Sequence, residues 1–170
     1  MQLTPLTKKF ILHWGEMGTR WGINRTVAQV HALLYVSPRA LNAEEIASTL
    51  SVARSNVSTS LKELQNWGLV KVIHVLGDRR DHFETFKDVW QMFQVVMSER
   101  KKREVEPTIV LLREAVNETD REGKDDDVAR ERLAAMLAFF EEASGCFDQV
   151  KKLPPGMLKQ VAKLAGKLKG

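Results

Sequence analysis

Apolar residues recur along most of this chain at helical spacing and give way to a strand-like pattern in one short stretch. Phe10, Trp14, Met17 and Trp21 stand at i, i+4, i+7 and i+11, which predicts a helix over Thr7–Trp21 with those four on one stripe. Val27, Val30, His31 and Leu34 recur in the same way between Asn24, a residue suited to N-capping, and Val36. Ser37-Pro38-Arg39 then stops the pattern. Asn42 followed three residues later by Glu45 predicts a capping box, opening a third helix with Ile46, Ala47 and Leu50 inward. Val57, Leu61 and Leu64 anchor a fourth, with Gly68 placed as its C′ residue. Here the period changes. Leu69–Val75 is rich in β-branched residues, His82–Phe86 supplies a returning strand, and Gly77-Asp78 between them suits a turn.

Helical spacing then returns. Asp88 to about Arg103 reads as a long helix bearing Val89, Trp90, Phe93, Val96 and Met97. Pro107 opens another at its permitted first position, ending near Thr119. Asp120–Asp127 reads as a solvated linker and Val128–Phe147 as a further helix. Pro154-Pro155 separates that helix from a last one over Gly156–Leu168. The last helix sets Lys159, Lys163 and Lys167 beside an apolar stripe of Leu158, Val161, Ala162, Ala165 and Leu168, a pattern for docking with the lysines in water. The expected division is residues 1–36 as N-terminal support and dimer or effector region, 37–87 as a helix-turn-helix with a hairpin, and 88–170 as a helical dimerisation and effector region. The expected fold is mainly α, with a two-stranded β-wing.

Composition narrows the functional classes. No apolar run is long enough to span a bilayer, and the N-terminus lacks a charged region followed by an apolar one, so no membrane and no signal peptide are expected. Cys146 is the single cysteine, which fits a reducing, cytoplasmic setting. Nothing basic adjoins it in sequence, so an inert buried thiol is expected rather than a redox switch. The net charge of +4 suits a polyanionic partner. Its distribution does not locate the partner's face, because Glu104–Asp148 is acidic and six lysines follow Asp148 with no acidic side chain.

The fourth helix carries the candidate chemistry. With Val57 at zero and about 100° per residue, Leu61 falls near +40°, Leu64 near −20° and Ala53 near −40°. The other side holds Ser55, Thr59, Lys62 and Asn66, with Asn56 and Ser58 flanking. Asn can pair with adenine, Ser and Thr can reach base edges or phosphate, and Lys can bind phosphate or guanine. A helix with Arg-Ser-Asn-Val-Ser-Thr-Ser in its first two turns gives up helix propensity where a solvated face would carry Glu, Lys or Gln. In helix-turn-helix proteins the N-terminal part of this helix meets the bases, which favours Arg54, Ser55, Asn56, Ser58 and Thr59, with Lys62 behind them. Arg79 and Arg80 stand at the hairpin tip, where guanidinium groups reach phosphates or a narrow minor groove, and Asp78 is placed to hold one of them. Double-stranded DNA is the expected partner. The alternative is a winged helix that binds only protein, which has no need of both the polar helix face and the arginines.

Catalysis is not expected. His74, Asp78, Asp81, His82 and Glu84 gather in the hairpin, but their spacing matches no zinc pattern and strand alternation sets several on opposite faces. There is no nucleophile motif or phosphate-binding glycine loop, and no cofactor or metal is implied.

These residues resemble the MarR superfamily of winged helix-turn-helix regulators. Asp78-Arg79-Arg80 resembles the family's acidic-arginine wing motif, and Trp67-Gly68-Leu69-Val70 its exit from recognition helix into wing. HWGEMGTRWGINRTVAQVHALLYVSPRALNAEEIA, ARSNVSTSLKELQNWGLV and HVLGDRRDHFE are similar to the GbsR-like branch, over about His13–Pro107. The C-terminal third resembles the family only in being helical. The resemblance implies a homodimeric repressor on a pseudo-palindromic operator, with control of osmoprotectant synthesis or uptake during osmotic stress through choline, glycine betaine or another compatible solute. Ser51 stands where the turn often has Gly. Ala53 stands where the recognition helix often has a Ser or Thr cap, a loss of roughly 1 kcal/mol. A quaternary ammonium effector would need an aromatic box. Trp14, Trp21, Trp90 and Phe93 are the candidates, with Phe140 and Phe147 further on; the competing reading is that they form core or dimer interface.

Overall fold

Side-chain caps set the starts of the first three helices. Thr4 Oγ1 accepts from the Thr7 amide at 3.2 Å, and α1 runs Pro5–Arg20 with Pro5 in the first turn, where no amide hydrogen is needed. Asn24 Oδ1 accepts from Thr26 N at 2.8 Å and starts α2, Arg25–Val36. Asn42 and Glu45 form the expected capping box, each side chain accepting the other's amide at 3.0 Å, and α3 covers Ala43–Leu50. The fourth helix, α4, is Arg54–Asn66. It ends in a Schellman motif: Gly68 N donates to Gln65 O at 2.8 Å and Leu69 N to Leu64 O at 2.9 Å, with Gly68 at φ +68°.

The computed structural model describes residues 2–122, 127–153 and 156–157, and divides into two units, Met1–Val95 and Val96–Gly170. In the first unit, β2 (Val70–Ile73) and β3 (His82–Thr85) pair antiparallel with Val70 opposite Thr85 and Val72 opposite Phe83. A strand not anticipated from sequence, β1 (Leu41–Asn42), pairs with the other edge of β3, giving the order β1-β3-β2. Two residues are too few for a periodicity signal. Asn42 thus opens α3 and bonds the wing's return strand at once.

The core of this unit is Val30, Leu33, Leu34, Leu41, Ile46 and Val57, each almost wholly inaccessible. Its buried polar groups are paired. Thr85 Oγ1 donates its one hydrogen to Leu69 O at 2.7 Å, so His31 Nε2, 3.2 Å away, must be the donor to it. That places a hydrogen on His31 Nε2, and burial, which pushes the His31 pKa down to about 4, keeps the ring neutral at pH 7. Lys87, just beyond β3, donates from Nζ to Leu34 O, Tyr35 O and Ser37 O at 2.8, 2.9 and 2.8 Å, capping the end of α2.

The stripe expected for α1 is not its packed face. Phe10, Trp14 and Met17 are half-buried and Trp21 is exposed, whereas Ile11, Gly15 and Gly18 are buried, the two glycines against Gln29 and Ala28 of α2. Glycines, invisible to a search for large apolar residues, let the two backbones approach.

The long helix expected over Asp88–Arg103 begins as foreseen, with Asp88 Oδ1 accepting from Trp90 N and Gln91 N, and α5 covers Val89–Arg100. No break follows. A π-helical stretch, Lys101–Val105, leads into α6, Glu106–Glu122, so Pro107 lies inside continuing helix rather than opening a new one. Proline lacks the amide and its ring crowds the carbonyl four residues back; widening the preceding turn to i→i−5 bonds, as in Glu106 N to Lys101 O, accommodates it. Thr108 Oγ1 bonds Glu104 O at 2.6 Å in the same turn. The expected linker begins later than Asp120, since α6 continues to Glu122, and residues 123–126 lie outside the described residues. Helix α7 is Asp127–Lys151, continuing past Phe147. It runs antiparallel to α6, with Arg113 paired to Glu141 and Lys101 to Asp148, and with Lys101 Nζ over the Phe147 ring. Cys146 is exposed, not buried as expected. The expected helix over Gly156–Leu168, with Lys159, Lys163 and Lys167, lies outside the described residues except for Gly156 and Met157.

Candidate nucleic-acid interface

The polar face of α4 is set by the residues the helix buries. Val57, Leu61 and Leu64 point into the core as their spacing requires, and Ser60 is buried beside them. Arg54, Ser55, Asn56, Ser58, Thr59 and Lys62 are all exposed. They form one hydrogen-bonding surface on a rigid scaffold. Ala53 offers no side-chain cap, and Ser51 takes the left-handed conformation (φ 55°) that the turn demands. Both departures seen in the sequence are therefore real in the backbone.

The wing tip is a tight turn. Asp78 N donates to Val75 O at 3.0 Å, with Gly77 at φ +84°, the positive value that favours glycine. Asp78 also organises the arginines beyond the turn. Its carboxylate accepts the Arg80 amide at 3.0 Å, Arg80 Nε at 2.9 Å and Arg80 Nη2 at 2.6 Å. These hydrogen bonds hold the Asp78 carboxyl far below the usual carboxylate range. Arg80 is thereby held in place, while Arg79 has no salt-bridge partner among the described residues. At the wing's base the buried His82 donates from Nδ1 to Arg80 O at 3.0 Å, and its Nε2 lies 3.6 Å from Asp78. Of the other hairpin groups, His74 lies 3.9 Å from Asp81 and Glu84 pairs with Lys71 at 2.8 Å. Among the described residues no group of three or more His, Cys, Asp or Glu side chains is placed to hold a metal.

Helix and wing face a common cleft of about 460 Å³, lined by Arg54, Ser58, Lys62 and Gln65 of α4, by Arg79, Arg80 and Asp81 of the wing, and by Glu44 of α3. Four cations meet there. Glu44 Oε1 lies 2.7 Å from Arg54 Nη2 and aims that arginine. Sequence reasoning missed Glu44, because it belongs to the preceding helix and only the turn brings it to Arg54. It missed Gln65 too, although Gln65 lies three residues after Lys62, one turn along.

The aromatic candidates do not share one pocket. Trp14 stacks at 5.5 Å on Phe10, which lies 6.4 Å from Tyr35, and these three line a cavity of about 220 Å³ with His31, Val89 and Met92. Trp90 instead meets Phe93 edge-on at 6.5 Å, and Phe93 and Trp21 are exposed. Phe140 packs edge-on against Phe139 in the second unit. The sequence placed Phe10 only on the α1 stripe and did not single out Tyr35, because tryptophan spacing dominated the choice of effector residues. No helix among the described residues is long and apolar enough to cross a membrane.

Residues 21–81, which hold both α4 and the wing, match the model of the MarR family. Over 137 residues the chain is 25% identical to the HTH-type transcriptional repressor GbsR of Bacillus subtilis (strain 168), a match covering 78% of this chain and 75% of that protein. Its fold is shared with a crystal structure of a transcriptional regulator, at TM-score 0.60 and 22% identity, over 85% of this chain and 99% of the other. An S. aureus MepR bound to an oligodeoxyribonucleotide is more distant in backbone, with TM-score 0.40 and 16% identity over 81% of this chain and 91% of its own. The family match over residues 21–81 and the likeness to GbsR over most of the chain support a MarR-type, GbsR-like DNA-binding transcriptional regulator.

Proposed function

We propose that this regulator is a homodimeric repressor that grips a pseudo-palindromic operator with α4 in the major groove and the wing on the flanking duplex. The observation that carries the DNA site is the cleft shared by helix and wing, where Arg54, Lys62, Arg79 and Arg80 gather around Ser58, with Ser55, Asn56 and Thr59 exposed on α4 outside its lining. Asn56 and its neighbours read bases; the arginines and Lys62 hold phosphates. Dimerisation is supported by apolar side chains left exposed on the helices outside the reading head. These are Leu6 and Leu12 of α1, Val110 and Leu111 of α6, and Met136 and Phe139 of α7.

The motif resemblance to the GbsR-like branch supports a role in the synthesis or uptake of osmoprotectants. The effector is a small quaternary ammonium compound, choline or glycine betaine, seated on Trp14. The aromatic faces of Phe10, Trp14 and Tyr35 attract such a cation, and a neutral His31 at the cavity does not repel it. Trp21, Trp90 and Phe93, the other sequence candidates, lie outside this cavity's lining.

Gel shift on the chain's own upstream region over a salt series tests the reading. Affinity should fall steeply with salt; Arg79→Ala and Arg80→Ala should weaken binding to many sequences, and Asn56→Ala should alter sequence preference. Unchanged binding in all three variants defeats the site assignment. Titration with choline and glycine betaine should quench tryptophan fluorescence saturably, and Trp14→Leu should abolish it. No saturable change with either compound defeats the effector.

A further inference from the structure

Leu76 stands in the turn at the wing tip with its side chain fully in water, at 104% relative exposure. Water-facing leucines are ordinary on a surface, but this one is held on a fixed turn. The Val75–Asp78 hydrogen bond and the left-handed Gly77 lock the turn that presents Leu76. Val75 beside it is also exposed. Asp78 clamps Arg80 immediately after the turn, and Arg79 sits between them with no salt-bridge partner among the described residues. An apolar tip is thus followed, after Gly77 and Asp78, by two guanidinium groups on the limb that shares a cleft with α4.

We infer that Leu76 is a specificity-determining residue that rests on the floor of the DNA minor groove and favours A·T pairs there. The inference rests on the DNA-binding reading above. With α4 in the major groove, the hairpin tip meets the flanking minor groove, whose negative potential draws in Arg79 and Arg80. The floor of that groove is apolar at adenine C2 but carries the guanine N2 amino group at every G·C pair. A leucine pressed against that amino group strips it of water and offers no acceptor, so a G·C pair under the tip is penalised. Minor-groove proteins bring apolar side chains, leucine among them, to that floor, where they wedge between base steps. A phosphate-binding role does not suit Leu76, which has no polar atom.

Inosine provides the test, because an I·C pair keeps the major-groove pattern of G·C and lacks only the N2 amino group. Full-length protein would be titrated by fluorescence anisotropy against its selected operator carrying A·T, G·C or I·C at each flanking pair in turn. At one or two wing-facing pairs, G·C should bind about tenfold more weakly than A·T, and I·C should restore binding. Leu76→Ser should erase that difference while leaving the salt dependence unchanged, whereas Arg79→Ala should reduce the salt slope by about one. Circular dichroism of the Leu76→Ser protein should match wild type, since the side chain touches nothing in the fold. The inference is overturned if wild type shows no flanking G·C penalty, if I·C fails to relieve it, or if Leu76→Ser retains it. Wild type that binds no duplex specifically overturns the DNA-binding reading instead, and the Leu76 inference with it.

Discussion

One methyl group at Gly18 decides how α1 packs on α2. Alanine is favoured over glycine inside a helix by about 1 kcal/mol, so Gly18→Ala should stabilise the protein if the site were open. A Cβ there would lie 2.5 Å from Ala28 Cβ, an atom fixed to its own backbone that no rotamer change can move aside. Carbon atoms rest about 3.5–4.0 Å apart, so the helices must part locally by about 1 Å or more. Overpacking of this kind costs about 1–3 kcal/mol, plus packing lost by Ile11 and its neighbours. The steric effect wins, and Gly18→Ala should lower the unfolding free energy by about 1–2 kcal/mol. Gly15 is the control: its Cβ would meet Gln29 Cγ at 2.8 Å, but that side chain has free rotors. Gly15→Ala should therefore stay within about 0.5 kcal/mol of wild type. Ala28→Gly alone should cost about 2 kcal/mol, from propensity and one buried methyl. Joined with Gly18→Ala it moves the methyl to the other helix, and the pair should cost about 1 kcal/mol rather than the additive ~3–4. Urea unfolding followed by circular dichroism, at one fixed protein concentration, measures all four variants. A Gly18→Ala protein as stable as wild type, or a double variant with additive cost, refutes the reasoning.

Three other outcomes are expected. Glu44→Gln frees Arg54 from its ion pair, so affinity for random-sequence DNA should rise about threefold or more and the salt slope should steepen by about one; an unchanged slope means Arg54 reaches no phosphate. Acid should destabilise in two windows. His31, held by burial at about 4, contributes fully above 6.5 and loses that contribution as pH falls toward 4. Glu45, held at about 2 chiefly by its hydrogen bond from Arg39, contributes above 4.5 and loses it as pH falls toward 2. Thermal melts across both windows should show His31→Gln flattening the first and Glu45→Gln the second; a wild-type slope in either variant contradicts its assignment. Lys87→Met removes three bonds to the last turn of α2 and should cost about 1–2 kcal/mol, with faster amide exchange at Ser37; native exchange there would show that the cap is dispensable.

Elements whose ends are written in local chemistry were legible in sequence. Asn24, Asn42 with Glu45, and Gly68 each mark a boundary that the backbone obeys, and the angular spacing of Val57, Leu61 and Leu64 exposed the polar face of α4. The illegible parts depend on partners distant in the chain. Strand β1 exists because β3 has a free edge, not because Leu41-Asn42 has strand character. Glu44 joins the candidate site only when the turn folds. The packed face of α1 is made by small residues, which carry no hydrophobic signal. Pro107 misled by a different route: a missing amide reads as a helix start, yet a π turn absorbs it equally well.

Lys87 has a topological meaning beyond its contribution to stability. Its ammonium joins the end of β3 to the end of α2 across 50 to 53 residues of sequence, and the His31–Thr85 bond repeats that closure alongside. Everything between Ser37 and Phe86, the whole DNA-reading head, is therefore a loop whose two ends already meet. Its core is nevertheless shared with Val30, Leu33 and Leu34 of α2, so a relative's segment cut at that clasp carries its operator preference across only together with its own α2 face.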